Sequence, residues 1–76
     1  MTPDQLVDAR GMRCPWPVIR LARAARELNG PGAICILADD PIAPTEIAAL
    51  CAEKKWDLSV DAAAPHRFEI AIRSIT

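Results

Sequence analysis

The chain has 76 residues, of which 51% are hydrophobic, and its 9 basic and 10 acidic side chains give a formal net charge of −1. A chain this short predicts one compact domain over residues 1–76, with a thin core and no room for an enclosed cofactor. The near-neutral charge argues against direct nucleic-acid binding, and the absence of long apolar runs or a secretion signal predicts a cytoplasmic protein without membrane contact.

The first half of the chain predicts a strand, a helix and a second strand. Gln5 to Ala9 is typical of a short strand. Apolar residues spaced three and four apart over 15–28 predict a helix, which the segment Asn29 to Gly32 ends. The run AICILA over 33–38 is apolar throughout and predicts an interior strand.

The second half predicts a helix and a hairpin. Residues 44–55 form the second predicted helix, with Pro44 and Glu46 suited to its first turn and Ile47, Leu50 and Cys51 facing inward. Alternating patterns over 58–62 and 67–73 predict two half-buried strands, which the short connection 63–65 allows to pair as an antiparallel hairpin. The order β-α-β-α-β-β predicts an α/β (α+β) two-layer sandwich with one sheet face uncovered.

The predicted topology brings two loops together. Right-handed crossovers make the first two strands parallel, so the loop containing Cys14 and the loop containing Asp39 and Asp40 both follow the carboxyl ends of parallel strands. We expect both loops at one edge of the domain, where open α/β sheets usually carry their sites.

The cysteines differ in their surroundings. Three cysteines with a single histidine, His66, form neither a disulfide framework nor a zinc site, so we predict no metal and no cofactor. Cys35 and Cys51 lie in apolar segments and are predicted to be buried. Cys14 lies between Arg13 and a proline, directly before a helical pattern, and is the candidate functional residue.

The segment CPWP predicts a cysteine at the start of a helix. Because a residue before proline avoids the helical region, we expect Cys14 at the N-cap and Pro15 at the first helical position. The helix start, with free N–H groups such as that of Trp16, and Arg13 favour a thiolate, whereas Asp39 and Asp40 oppose it. The sequence leaves the sign of the net pKa shift open.

Pro17 stands where a CXXC pair would have its second cysteine, and no histidine is adjacent. A rigid surface thiolate of this kind suits sulfur exchange with another protein better than hydrolysis. The alternative is that CPWP only starts a helix, with Trp16 packed over a strand end instead of exposed for a docking partner.

Other charged residues also have two interpretations. Arg20 and Arg23, in a stripe with Arg26, form either a solvated helix face or a surface that steers an acidic partner or tRNA toward Cys14. Asp39 and Asp40 either support the site or only form a turn.

The segments DARGMRCPWP and ADDP resemble the SirA/TusA-like sulfur-carrier family, whose members have a CPxP motif at the start of the first helix. The similarity covers nearly the whole chain and includes Asp8, Gly11, the motif at 14–17 and the segment 38–41. It implies four mixed strands backed by two helices, with the last strand antiparallel to the others. It also implies that Cys14 accepts sulfane sulfur as a persulfide from a cysteine desulfurase or other donor and passes it to an acceptor protein.

The resemblance leaves the pathway open. The best-known members act toward thiolation of tRNA wobble uridine, and others look like carriers for sulfur oxidation, molybdenum-cofactor supply or selenium handling. Trp16 occupies the variable position of CPxP, which affects the choice of partner. The competing hypothesis is a regulatory module that binds nucleic acid or protein and uses CPWP only as a helix cap. Such a module would keep its function when Cys14 is replaced by serine.

Overall fold

The computed structural model describes residues 3–73 of the chain. Its elements are β1 (Gln5–Asp8), α1 (Trp16–Leu28), β2 (Gly32–Leu37), α2 (Ala43–Lys54), β3 (Asp57–Val60) and β4 (Arg67–Ile72). The predicted order is confirmed, and the ends of the elements differ from those predicted by one or two residues. No helix within residues 3–73 is long and apolar enough to cross a membrane.

The four strands form one mixed sheet in the order β1-β2-β4-β3. β1 and β2 are parallel because α1 crosses between them, whereas β4 is antiparallel to both of its neighbours. The last strand therefore runs against the other three, as the resemblance implied. With its two helices, this sheet confirms the predicted α+β fold.

The core lies between the sheet and the helices. On β4 every second side chain is buried, because strand residues alternate between the two faces of a sheet. The largest buried side chains of the cluster come from β2, β4 and both helices: Leu21, Ile34, Ile36, Ile47, Phe68 and Ile70. The binary pattern of the sequence is thus the main determinant of this packing.

Cys35 and Cys51 are both buried, as predicted. Cys51 belongs to the core cluster beneath α2, but Cys35 does not belong to that cluster. Its strand neighbours Ile34 and Ile36 face the helices, so Cys35 faces the opposite side of the sheet, where it pairs with Leu6 and Glu69. Neither thiol is available to a docking protein in the folded chain.

The strand predicted over 58–62 ends earlier, at Val60. Asp61 starts a turn instead, because its carboxylate accepts the Ala63 N–H at 2.9 Å and its carbonyl accepts the Ala64 N–H at 2.9 Å. Aspartate side chains commonly form such turns with the backbone two residues on. Ala62 therefore lies in the connection between β3 and β4, outside the sheet.

Candidate functional site

The two loops that follow β1 and β2 are joined by hydrogen bonds. The Gly11 N–H donates to Asp39 Oδ1 at 2.9 Å, and the Cys14 N–H donates to Asp40 Oδ2 at 3.4 Å. The expectation that Cys14, Asp39 and Asp40 share one edge of the domain is thereby confirmed. The parallel order of β1 and β2 explains it, since both loops begin at the carboxyl end of a strand.

Asp40 also organises the start of α2. Its Oδ1 accepts the Ile42 N–H at 2.8 Å, and its carbonyl accepts the Ala43 N–H at 3.0 Å. Asp40 is therefore a turn former and, through its second carboxylate oxygen, a link to Cys14. One side chain fixes the position of the cysteine loop relative to the second helix.

Gly11 allows the first loop to reach its partner. Its φ of +81° lies in the left-handed region, which strains residues with a side chain. In this conformation its N–H reaches Asp39 Oδ1. The turn between β1 and Cys14 therefore depends on glycine at this position.

The prediction that Cys14 is the N-cap of the first helix is wrong. The N-cap is Pro15, whose carbonyl accepts the Ile19 N–H at 3.1 Å. The Trp16 N–H, which we expected to face the sulfur, donates to the Arg13 carbonyl at 2.9 Å. This turn places Cys14 one residue before the cap, and the Cys14–Pro15 peptide bond is cis.

The pKa of the Cys14 thiol is raised. Burial is the largest cause, followed by the negative charges of Glu46 and Asp40. Hydrogen bonding to the Glu46 side chain raises the pKa further. The half-buried Cys14 therefore favours the neutral thiol, so the net pKa shift, whose sign the sequence left open, is upward. The helix start does not face the thiol as predicted, because the Trp16 N–H is bonded to the Arg13 carbonyl and Cys14 lies outside the cap.

Glu46 is the site residue that sequence analysis missed. The sequence relates Glu46 only to the helix dipole, because acidic residues are favourable in a first helical turn. Both helices begin at the same edge of the sheet, because each follows one of two parallel strands. That topology was the available signal that the first turn of α2 would lie near the cysteine loop.

The arginines near the motif have different environments. Arg10 forms an ion pair with Asp8 at 2.8 Å and, by its hydrogen bonds, lowers the pKa of that carboxyl to about 2. Arg13 is exposed and forms no ion pair with the other residues of 3–73. The raised pKa of Cys14 has burial and the charges of Glu46 and Asp40 as its causes, and neither arginine is among them.

Arg20 and Arg23 lie on the side of α1 that faces β1. They line a groove of about 380 Å³ together with Gln5, Leu6, Val7, Ala24 and Glu27. Arg23 is also paired with Glu27 at 3.4 Å, one helical turn along. Within residues 3–73 the cysteine loop is bonded to Asp39 and Asp40, and no hydrogen bond or ion pair joins Arg20 or Arg23 to Cys14.

Three exposed apolar side chains lie at the starts of the two helices. Trp16 is 59% exposed and is followed one turn later on α1 by Ile19, which is 45% exposed. Ile42, the N-cap residue of α2, is 55% exposed. Within the motif, Pro15 is exposed and Pro17 is buried. Of the two interpretations of Trp16, the exposed one is observed.

No group of three or more histidine, cysteine, aspartate or glutamate side chains in the described part of the chain could hold a metal ion. The groups at this edge include one thiol, the carboxylates of Asp39, Asp40 and Glu46, and exposed apolar side chains.

Comparison with known proteins agrees with this architecture. The family described as sulfurtransferase TusA matches residues 5–74. The crystal structure of a SirA-like protein from Desulfitobacterium hafniense superposes with a TM-score of 0.75 at 23% sequence identity, covering 92% of this chain and 99% of that one. The structural match shows a shared fold, and the family match covers nearly the whole sequence. The chain therefore belongs to the TusA sulfurtransferase family.

Proposed function

We propose that this protein is a sulfur carrier that holds sulfane sulfur as a persulfide on Cys14. The observation that supports this most directly is the accessibility of the three cysteines: Cys14 is half-exposed, whereas Cys35 and Cys51 are buried. Cys14 also occupies the CPxP position of a chain in the TusA family. It is the thiol that a partner protein can reach.

The proposed step is an exchange between two thiols. The Cys14 sulfur attacks the terminal sulfur of a donor persulfide, a new S–S bond forms on Cys14, and the donor's own S–S bond breaks to leave a thiol. Repeating this exchange with an acceptor's thiol as the nucleophile passes the sulfur on. A dithiol redox role has less support, because neither of the other two cysteines is accessible.

The partners of this relay are proteins. A cysteine desulfurase or another persulfide donor would load Cys14, and a downstream acceptor would unload it, with tRNA thiolation as one possible pathway. The exposed side chains of Trp16, Ile19 and Ile42 offer both proteins an apolar surface beside the sulfur. Three unpaired cysteines are consistent with a reducing compartment, so we place the relay in the cytoplasm.

Mass analysis after incubation with a cysteine desulfurase and free cysteine tests the proposal. We expect one added sulfur atom, located on Cys14 by peptide mapping, and no loading of Cys14→Ser. Cys51→Ala is the matched control and should load like the parent. Sulfur found mainly on Cys35 or Cys51 would contradict the proposal. A Cys14→Ser variant that retains the biological activity would favour the binding module instead.

A further inference from the structure

β1 forms one edge of the sheet, and its outer side has no strand beside it. Within residues 3–73 the strand order β1-β2-β4-β3 gives β1 a single strand neighbour, β2. The N–H of Ala9, the residue after β1, donates to the Leu37 carbonyl of β2 at 2.8 Å. Because successive N–H groups along a strand point to opposite edges, the N–H and carbonyl groups of Leu6 and Asp8 point away from β2. This edge can therefore accept another strand.

A groove follows the same edge. It measures about 380 Å³ and lies between β1 and α1, with Gln5, Leu6 and Val7 as its β1 lining. Val7 is buried in the core cluster beneath the helices, whereas Leu6 points to the uncovered face of the sheet and is 66% exposed. A strand placed along β1 would thus have one row of side chains over α1 and the other row beside Leu6.

The α1 side of the groove is cationic. Arg20 forms no ion pair within residues 3–73, and the exposed Arg23 is paired with Glu27 at 3.4 Å. These two arginines and one glutamate give this side of the groove a net charge of +1. The Leu6 side is apolar. The two sides of the edge therefore suit different side chains of an incoming strand.

We propose that the β1 edge is a docking surface for an extended segment of a partner protein, which adds to β1 as a further strand of the sheet. In this segment acidic residues alternate with apolar ones. The acidic row lies over Arg20 and Arg23, and the apolar row packs beside Leu6. Main-chain hydrogen bonds to β1 supply affinity, and the two rows of side chains supply specificity.

The charges and the backbone groups favour this occupant over two others. Two copies joined by antiparallel β1 strands would carry both α1 helices on the same face of the joint sheet. Arg20 and Arg23 of one copy would then approach those of the other, and like charges repel. A nucleic acid would meet the arginines, but its phosphates are acceptors and cannot bond the outward carbonyls of β1. An acidic peptide satisfies both the cations and the backbone.

Amide hydrogen exchange measured by NMR tests strand addition. The probe is a short synthetic peptide in which glutamate alternates with valine. With the peptide at about ten times its Kd, exchange of the Leu6 amide should slow about tenfold, because that amide is free in only about a tenth of the molecules. The Val7 amide, which points to β2, should keep its rate. Unchanged exchange of Leu6 would overturn the proposal. A Leu6 amide already protected in a dimer of the free protein would assign the edge to a second copy and also overturn it.

Backbone methylation distinguishes strand pairing from a loose electrostatic contact. Two versions of the peptide are N-methylated, one on its glutamates and the other on its valines. Because alternate N–H groups of an added strand face β1, at least one version should bind more weakly than the unmethylated peptide. Unchanged affinity of both versions would overturn the proposal.

A matched pair of variants tests the role of charge. Arg20→Gln removes a cation from the groove, and Arg26→Gln removes the same charge from an exposed position of α1 outside the groove lining. Binding of the fluorescein-labelled peptide is followed by anisotropy at low salt. Arg20→Gln should weaken binding about fivefold, the effect of one charge at contact distance in water, while Arg26→Gln matches the parent. Equal affinities of the two variants would overturn the proposal.

The chemical class of the partner is tested with two further probes. A peptide with lysine in place of each glutamate should bind more weakly than the acidic peptide, and the reverse order would overturn the proposal. A short RNA that binds the parent more tightly than the acidic peptide, and loses affinity in Arg20→Gln, would assign the groove to nucleic acid and overturn it as well. None of these probes contains a thiol or sulfane sulfur. Failure of Cys14 to load sulfur would therefore reject the proposed function without affecting this test.

Discussion

Replacing Asp40 separates its structural role from its effect on the Cys14 thiol. Asp40→Ala removes both acceptor oxygens, so the N–H groups of Ile42 and Cys14 lose their bonds. Asp40→Asn keeps one acceptor oxygen, which can still bind the Ile42 N–H, but loses the negative charge. The two variants therefore differ in stability and share the loss of charge.

The bond from Ile42 at 2.8 Å is the stronger of the two and stabilises the start of α2. Loss of one such intramolecular hydrogen bond costs about 1 kcal/mol. In a domain of this size that lowers the melting temperature by roughly 4 to 8 °C. We expect this loss in Asp40→Ala and less than half of it in Asp40→Asn.

Thermal unfolding followed by circular dichroism measures the stability, and alkylation across a pH series reports on the thiol. Both variants should lower the pKa of Cys14, because the charge of Asp40 raises it in the parent. Equal melting temperatures for Asp40→Ala and the parent would show that the Ile42 bond contributes nothing. Equal destabilisation of both variants would assign the effect to charge instead of to the bond.

Three further variants test other features of the fold and the surface. Gly11→Ala should cost about 1 to 2 kcal/mol, because its φ of +81° strains a residue with a side chain, and thermal unfolding measures that loss. The ion pair of Asp8 contributes stability above its unfolded pKa, and this contribution is lost as the pH falls through its folded pKa of about 2. The small deficit of Asp8→Asn in urea unfolding should therefore vanish toward pH 2. Changing Arg20 and Arg23 to glutamate should slow single-turnover sulfur transfer at low salt, with the deficit shrinking as salt screens the charges.

Each of these has a result that would count against it. An unchanged melting temperature in Gly11→Ala would mean that the loop relaxes to another conformation. A deficit in Asp8→Asn that persists at pH 2 would exclude the ion pair as its cause. A transfer rate that does not change with salt would mean that Arg20 and Arg23 form only a solvated surface. Thermal stability equal to that of the parent is the control for this variant.

The elements of the fold are predictable from the sequence because they depend on local patterns. The alternation over β4 and the apolar run of β2 specify which side chains are buried, independently of details elsewhere. The relation of the two loops is also predictable, since it follows from the handedness of one crossover connection. A short domain with a thin core has few other arrangements that bury the same apolar side chains.

The start of α1 and the pKa of Cys14 are less predictable for physical reasons. The N-cap is decided by which carbonyl accepts the first helical bond, and a competing turn from Trp16 to Arg13 moves it to Pro15. The role of Glu46 depends on the packing of α2 beside the cysteine loop, which joins residues far apart in the sequence. Local propensity contains no information about that contact.

The distance dependence of the carboxylate charges leads to a last prediction, about the direction of sulfur transfer. In the empty protein the nucleophile is the Cys14 sulfur itself, whose pKa is raised by burial and by the charges of Glu46 and Asp40. In the loaded protein the atom that is transferred is the terminal sulfur, one bond further out. Because the interaction between charges falls with separation, the carboxylates should act on it less strongly.

Glu46→Gln should therefore change the rate of loading more than the rate of unloading. Single-turnover mass analysis can follow both steps, with inorganic polysulfide as the donor and a free small thiol as the acceptor. Glu53→Gln is the control, since it removes the same charge from an exposed position further along α2. Equal changes in both steps would mean that Glu46 acts on the whole loop instead of on the charge of the sulfur. A larger effect on loading would mean that the carboxylates lower the reactivity of the empty carrier more than that of the loaded carrier.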